Sequence, residues 1–169
     1  MKCAEIMTAN PKMCVSEDKL TAAVRIMWDY DCGAVPVVKD LKGKELVGIV
    51  TDRDIAMHVV GHAHVHPSQG KIADCMSSPV VCCQLEDPLE TVVQLMGENQ
   101  VRRIPVVDQN GCCVGIISQA DLLSRATDIE PVIAVLRKIS TPHSKSQDEP
   151  VKPVATDETP AAKEKETKA

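Results

Sequence analysis

Two stretches of this chain carry the same residues in the same order, and that duplication constrains the fold more than any other feature. Met7 returns as Met76, Asp18 as Asp87 and Val35-Pro36-Val37-Val38 as Ile104-Pro105-Val106-Val107, each 69 positions later. Gly48-Ile49-Val50-Thr51 returns as Gly115-Ile116-Ile117-Ser118 at an interval of 67. A pattern repeated within 169 residues predicts two like half-units packed on each other, since neither alone would bury much apolar surface. The two lost residues fall between the Pro-Val-Val step and the glycine. A turn absorbs such a change and a core strand does not, so the flanking apolar runs read as paired strands.

In the second copy these strands are joined by Asp108-Gln109-Asn110-Gly111, and Asn-Gly predicts a tight hairpin because both residues tolerate positive φ. The first copy has a longer charged loop from Lys39 to Glu45. Leu20, Ala23, Val24 and Met27, and again Leu89, Val92, Val93 and Met96, fall at i, i+3, i+4 and i+7, predicting an amphipathic helix before each hairpin. Asp18 and Asp87 read as their N-caps, with Pro88 at a first helical position. A second short helix is expected after Thr51, using Ile55, Ala56 and Val59, and after Ser118, using Leu122 and Leu123. Each half then reads as lead-in strand, helix, two strands, helix, giving an α+β fold.

Apolar residues make up 44% of the chain, yet it has no Phe, one Trp and one Tyr, so the core is expected to be aliphatic. Apolar residues at 132, 133, 135, 136 and 139 predict a last helix over 130–140, covering the domain's edge or a partner chain. From 141 to 169 four prolines stand among Lys, Glu, Asp, Thr and Ala, a composition expected to be disordered and to hold no site.

Several function classes are disfavoured. A net charge of -5 with scattered basic residues and almost no aromatics argues against nucleic-acid binding. No nucleophile elbow, zinc-protease helix or phosphate-binding Gly-Lys loop is present, so no catalysis is expected. Met1 to Thr8 lacks the apolar centre of a secretory signal, and no run approaches the roughly 18 apolar residues of a membrane span. A soluble, cytoplasmic protein is expected. Its eight cysteines include the adjacent pairs Cys82-Cys83 and Cys112-Cys113 and no Cys-x-x-Cys, and read as small core residues in a reducing compartment. His58, His62, His64 and His66 cluster near the junction of the copies, but no cysteine or acid stands among them at a metal-site spacing, and no metal is expected.

One pattern carries chemistry in both copies: glycine, two β-branched apolar residues, a hydroxyl, two variable positions and aspartate. A strand that ends in Thr51 or Ser118 and opens a helix leaves backbone N–H groups beside a hydroxyl, a setting for phosphate or ribose oxygens. Asp54 or Asp121, three residues on, can accept from a sugar diol. The same spacing is close to a capping box, which stabilises a helix start and binds nothing. Duplication preserves either role. The copies differ at Gly33-Ala34, which become Arg102-Arg103 in the second. Arg donates two hydrogen bonds at once from a planar fork, so Arg102 and Arg103 are candidate phosphate ligands, with Arg53 as a second candidate beside the first motif. The alternative for them is a solvated strand edge.

With these motifs in this order, Val-Pro-Val-Val or Ile-Pro-Val-Val before a hairpin and Gly-Ile-Val-Thr-Asp-Arg-Asp or Gly-Ile-Ile-Ser-Gln-Ala-Asp after it, the chain from about Lys2 to Arg125 resembles a tandem pair of cystathionine-beta-synthase (CBS) domains, a Bateman module. The resemblance implies two βαββα repeats, over 1–65 and 66–129, related by a pseudo-twofold axis with clefts between their sheets. It implies adenosine-containing regulatory ligands there, AMP, ADP, ATP or S-adenosylmethionine, with Thr51, Asp54, Ser118 and Asp121 on ribose and phosphate. It places Val15, Val35, Val80 and Ile104 around the base, although all four also read as plain core. It also implies a homodimer formed through helices. The expectation is a stand-alone sensor that signals to an unidentified partner protein; the rival is a ligand-independent scaffold of the same fold.

Overall fold

The computed structural model describes residues 1–61, 66 and 68–141; the expected disordered stretch from 142 on, and His62 and His64, lie outside them. The elements follow the duplicated order. The first half has β2 (Cys14–Val15), α2 (Leu20–Asp29), β3 (Ala34–Val38), β4 (Leu46–Thr51) and α3 (Asp52–Ala56), the last continued by a π-helical turn over Met57–Gly61. The second has β5 (Cys83–Gln84), α4 (Leu89–Asn99), β6 (Arg103–Val107), β7 (Cys113–Ser118) and α5 (Gln119–Arg125). Ahead of the first half run α1 (Cys3–Ile6) and β1 (Thr8–Ala9), and α6 (Glu130–Ser140) closes the described chain. The fold is α+β, with a β2-β3-β4 sheet and a β1-β7-β6-β5 sheet. Among the described residues no helix is long and apolar enough to cross a membrane.

Each lead-in segment packs on the opposite half. β1 pairs antiparallel with β7, Thr8 opposite Ile116, while Ser77, the repeat mate of Thr8, bridges to Ile49 on β4. Cys3, Ile6 and Met7 therefore belong to the core of the second half, and Ile72, Cys75 and Met76 to that of the first. This exchange explains the two glycines of the repeated strand motif. A Cβ on Gly48 would stand 2.9 Å from the Ser77 carbonyl oxygen and 3.0 Å from Met76 Sδ, and one on Gly115 would collide with Met7. Met7 and Met76 cross β7 and β4 at the glycines, and only glycine lets the backbones approach so closely. The hairpins also meet: the Leu46 N–H donates to the Gly111 carbonyl and the Cys113 N–H to the Lys44 carbonyl, at 3.0 and 2.8 Å.

Local chemistry departs from expectation in two places. Helices α2 and α4 begin after Lys19 and Pro88, neither with a side-chain cap. Asp18 and Asp87 are not N-caps and Pro88 is not inside the helix. The two carboxylates instead accept the Val15 and Gln84 N–H groups, at 2.9 and 2.7 Å, and tie each strand to the turn that follows it. In the second hairpin only Gly111 has positive φ, at 77°. Asp108 does the rest, its carboxylate accepting from the Asn110 and Cys112 N–H groups at 2.9 Å each, which holds its pKa below the usual value.

The core is aliphatic, in two clusters. Cys83 and Cys113 point inward while their neighbours Cys82 and Cys112 do not, as strand alternation requires. Burial pushes the Cys14 thiol up to about 12 and Cys113 to about 11, so both stay protonated at neutral pH.

Helix α6 breaks the symmetry. Its Val132, Val135 and Ile139 are buried, and it crosses α4 where a Cβ on Gly97 would come within 2.8 Å of Val135 Cγ2. Gly97→Leu should therefore push α6 off α4, lowering stability by about 1–3 kcal/mol and letting the undocked helix unfold enough for trypsin to cut at Arg137 and Lys138. An unchanged urea midpoint and unchanged cleavage would mean that the crossing tolerates a side chain.

Candidate functional site

The strand-to-helix junctions place the chemistry. At the end of β4 the Thr51 hydroxyl accepts the Asp54 N–H at 3.2 Å and donates to Asp54 Oδ2 at 2.7 Å, and the same oxygen accepts the Thr51 N–H at 2.9 Å. At the end of β7 Ser118 and Asp121 repeat this at 3.2, 2.6 and 2.9 Å. Both are complete capping boxes. They leave binding capacity unspent, because each hydroxyl keeps a lone pair and the second carboxylate oxygen takes no part in the box. In Asp121 that oxygen faces Arg125 at 3.6 Å.

Arg103 joins the two junctions. Its backbone stands opposite Ser118 in the β6–β7 ladder, while its half-buried side chain reaches the first half. A Cβ on Gly33 would stand 3.0 Å from Arg103 Nη2 and 2.9 Å from Asp52 Oδ2. Gly33 precedes Ala34, the ladder partner of Thr51, and its carbonyl accepts the Asp52 N–H at 3.3 Å. The helix starts of α3 and α5 are thus joined by one arginine side chain, which brings hydroxyls, carboxylates and a guanidinium of both halves to the same edge of the seam between them. The Arg102 carbonyl accepts the Gln119 N–H at 3.0 Å, matching Gly33 in the repeat, and the Arg102 and Arg53 side chains are exposed.

The apolar candidates do not gather there. Val15 stands beside Val38 in the parallel β2–β3 ladder, and Ala34, not Val38, is the partner of Thr51. That separates Val15 from Thr51 by the length of β3, about 13 Å at 3.3 Å per residue. Val35 and Ile104 are fully buried in the separate cores of the two halves, so their side chains face no common slot. Val80 is half-buried, three residues past the Ser77 bridge to β4. Sequence reasoning noted Gly33 only as the repeat mate of Arg102 and missed Asp52, whose signal was its contrast with Gln119 at the matching position. His66 bonds Ser68 at 2.7 Å, and among the described residues no group of three or more His, Cys, Asp or Glu is placed to hold a metal ion.

A family model for the CBS domain matches residues 3–61 and, a second time, 72–128. The chain is a CBS-domain protein. Each match covers one half together with the lead-in segment that packs on the other, and both include the hydroxyl–aspartate junction. The CBS pair is 39% identical over 128 residues to the uncharacterized protein YlbB of Bacillus subtilis, spanning 75% of this chain and 84% of that one. In fold it is similar to the solved CBS domain protein TA0289 from Thermoplasma acidophilum, with a TM-score of 0.71 and 27% identity over 83% of this chain and 77% of that one. It is also similar to the CBS domain pair of MJ0100, solved in complex with 5'-methylthioadenosine and S-adenosyl-L-methionine, with a TM-score of 0.63 and 27% identity over 72% of this chain and 96% of that one.

Proposed function

We propose that this CBS pair is a cytoplasmic regulatory sensor, without catalysis of its own, that takes an adenosine-containing ligand at the mouth between its halves and signals occupancy to a partner protein, as a homodimer. AMP, ADP, ATP and S-adenosylmethionine are the candidate ligands. The observation that carries this reading is the position of Arg103, whose backbone adjoins Ser118 and whose side chain stands beside Asp52 and Gly33 next to Thr51. A ligand bound there touches both halves, which gives it unequal affinity for two relative arrangements of them, the condition for any ligand to act as a signal. The adenosyl ligands of the MJ0100 pair agree with hydroxyl and carboxylate partners for a ribose.

Charge at the mouth separates the candidates. The Arg103 guanidinium suits a phosphate, while S-adenosylmethionine offers a sulfonium and an ammonium that Asp52 suits better. Calorimetric titration tests both. Arg103→Ala should weaken AMP by about 10–100-fold, the scale of a lost hydrogen bond to a charged group, and S-adenosylmethionine by much less. Absence of heat with every adenosyl ligand would favour the ligand-independent scaffold, which the closed capping boxes also fit.

A further inference from the structure

The repeat breaks inside the core of the second half, at a pair of thiols. Cys83 on β5 is the repeat mate of Cys14, but Cys3 on α1 is the mate of Ile72. In the first half Ile72 lies in the same aliphatic cluster as Cys14. In the second half a thiol takes the place of that isoleucine, and the Cys3 and Cys83 sulfurs stand 3.6 Å apart. Both are sealed from solvent, Cys3 completely and Cys83 to within 3%. Packing alone does not account for the exchange, because an aliphatic side chain fills the matching position of the first half. What the second thiol adds is chemistry.

The two backbones are already held for a bond between these side chains. The Cys3 N–H donates to the Asp87 carbonyl at 2.9 Å and the Ala4 N–H to the Leu85 carbonyl at 3.1 Å, while Lys2 Nζ donates to Glu86 Oε2 at 2.6 Å. Cys83 is fixed beside Val106 in the parallel β5–β6 ladder. A disulfide brings its sulfurs to about 2.05 Å, so roughly 1.5 Å of approach is left to side-chain rotation. The hydrogen bond between the thiols holds Cys3 below its ordinary value and, with burial, pushes Cys83 up. Cys3 is therefore the thiol that ionises, and Cys83 the one that keeps its proton. Cys3 also has a route to solvent, because α1 is only four residues long and its local opening costs less than unfolding.

We infer that Cys3 and Cys83 are a redox-active dithiol that a peroxide closes to an intrachain disulfide, making the exchanged lead-in segment a covalent latch on the second half. The Cys3 thiolate attacks a peroxide oxygen: an S–O bond forms, the O–O bond breaks, and the departing hydroxide takes up the proton that the thiol released. The Cys83 sulfur then attacks the sulfur of this sulfenic acid: the S–S bond forms, the S–O bond breaks, and the hydroxyl leaves with the Cys83 proton as water. Two thiols have lost two electrons and the peroxide has become two waters. A dithiol reductant reverses the bond. Between the joined residues lies the whole first half, so the bond closes a long loop and removes freedom from the unfolded chain. The latch needs no nucleotide and stands apart from the ligand reading above.

Hydrogen peroxide added to the fully reduced full chain, followed by alkylation and tryptic digestion without reductant, tests this. Peptides 3–12 and 72–102, bounded by Lys2, Lys12, Lys71 and Arg102, should appear joined and two hydrogens lighter than their sum. The second peptide also holds Cys75 and Cys82, so variants assign the bond: Cys82→Ser should keep the joined species and Cys83→Ser should lose it. Oxidation should raise the urea midpoint of the parent by about 1 M, and dithiothreitol should return it. Cys3→Ala starts from its own midpoint, which should be the same before and after peroxide. Peroxide that leaves peptide 3–12 unlinked would overturn the inference. So would a link that survives Cys83→Ser or vanishes with Cys82→Ser, or a Cys3–Cys83 link that leaves the urea midpoint where it was.

Discussion

Ile6→Ala should lower the stability of the whole chain by about 2–5 kcal/mol, the cost of emptying a filled aliphatic site. Six residues from a chain start, most side chains tolerate truncation. Ile6 does not stand at a frayed end. It is completely buried among Leu89, Val92, Ile104 and their neighbours in the second half, and its segment is anchored by the Cys3 N–H to the Asp87 carbonyl at 2.9 Å and the Ala4 N–H to the Leu85 carbonyl at 3.1 Å. Urea unfolding measures the effect. A loss below about 0.5 kcal/mol, the size of an ordinary surface change, would mean that the lead-in segment does not cross to the second half in solution.

Asp121→Asn should separate the two roles of the hydroxyl–aspartate motif. The amide oxygen can still accept the Ser118 N–H and hydroxyl, so the cap is largely kept and stability should fall by no more than about 1 kcal/mol. The charge is lost, and one face of the side chain becomes a donor that cannot accept from a ribose hydroxyl. Affinity for AMP should then fall about 10–100-fold, as for other hydrogen bonds to a charged group. Calorimetric titration with a thermal melt of the same sample gives both quantities. Parental affinity with a lowered melting temperature would reduce the motif to a helix cap.

Much of this was legible in the residues. Periodicity located α2 and α4, and the length difference between copies located the hairpins, because both signals are local. The exchange of lead-in segments was not read, although its participants stand out in the sequence. Met7 and Met76, Gly48 and Gly115 repeat at their intervals, but a pattern of repeats does not tell which glycine faces which methionine, and β1 meets β7 across more than a hundred residues. Asp18 and Asp87 were placed one function away from their true one, because an acid just before a helix caps it or closes the preceding turn depending on where the helix begins. Val15 was misplaced for a similar reason: a two-residue strand carries no register, and only the parallel ladder with β3 sets it beside Val38. The Thr51–Asp54 and Ser118–Asp121 junctions were legible because the hydroxyl ends the strand and the acid follows it by three residues in sequence. Asp52 beside Arg103 was not, because that approach is made by two different halves.

The central claim is that one ligand touches both halves at a single mouth. Amide hydrogen exchange of the full chain, with and without saturating AMP or S-adenosylmethionine, tests it most directly. Slower exchange should appear together at the start of β3 with Thr51 to Asp54 and at the start of β6 with Ser118 to Asp121. Protection confined to one half or to the α2/α3 face, or exchange unchanged by either ligand, would contradict it.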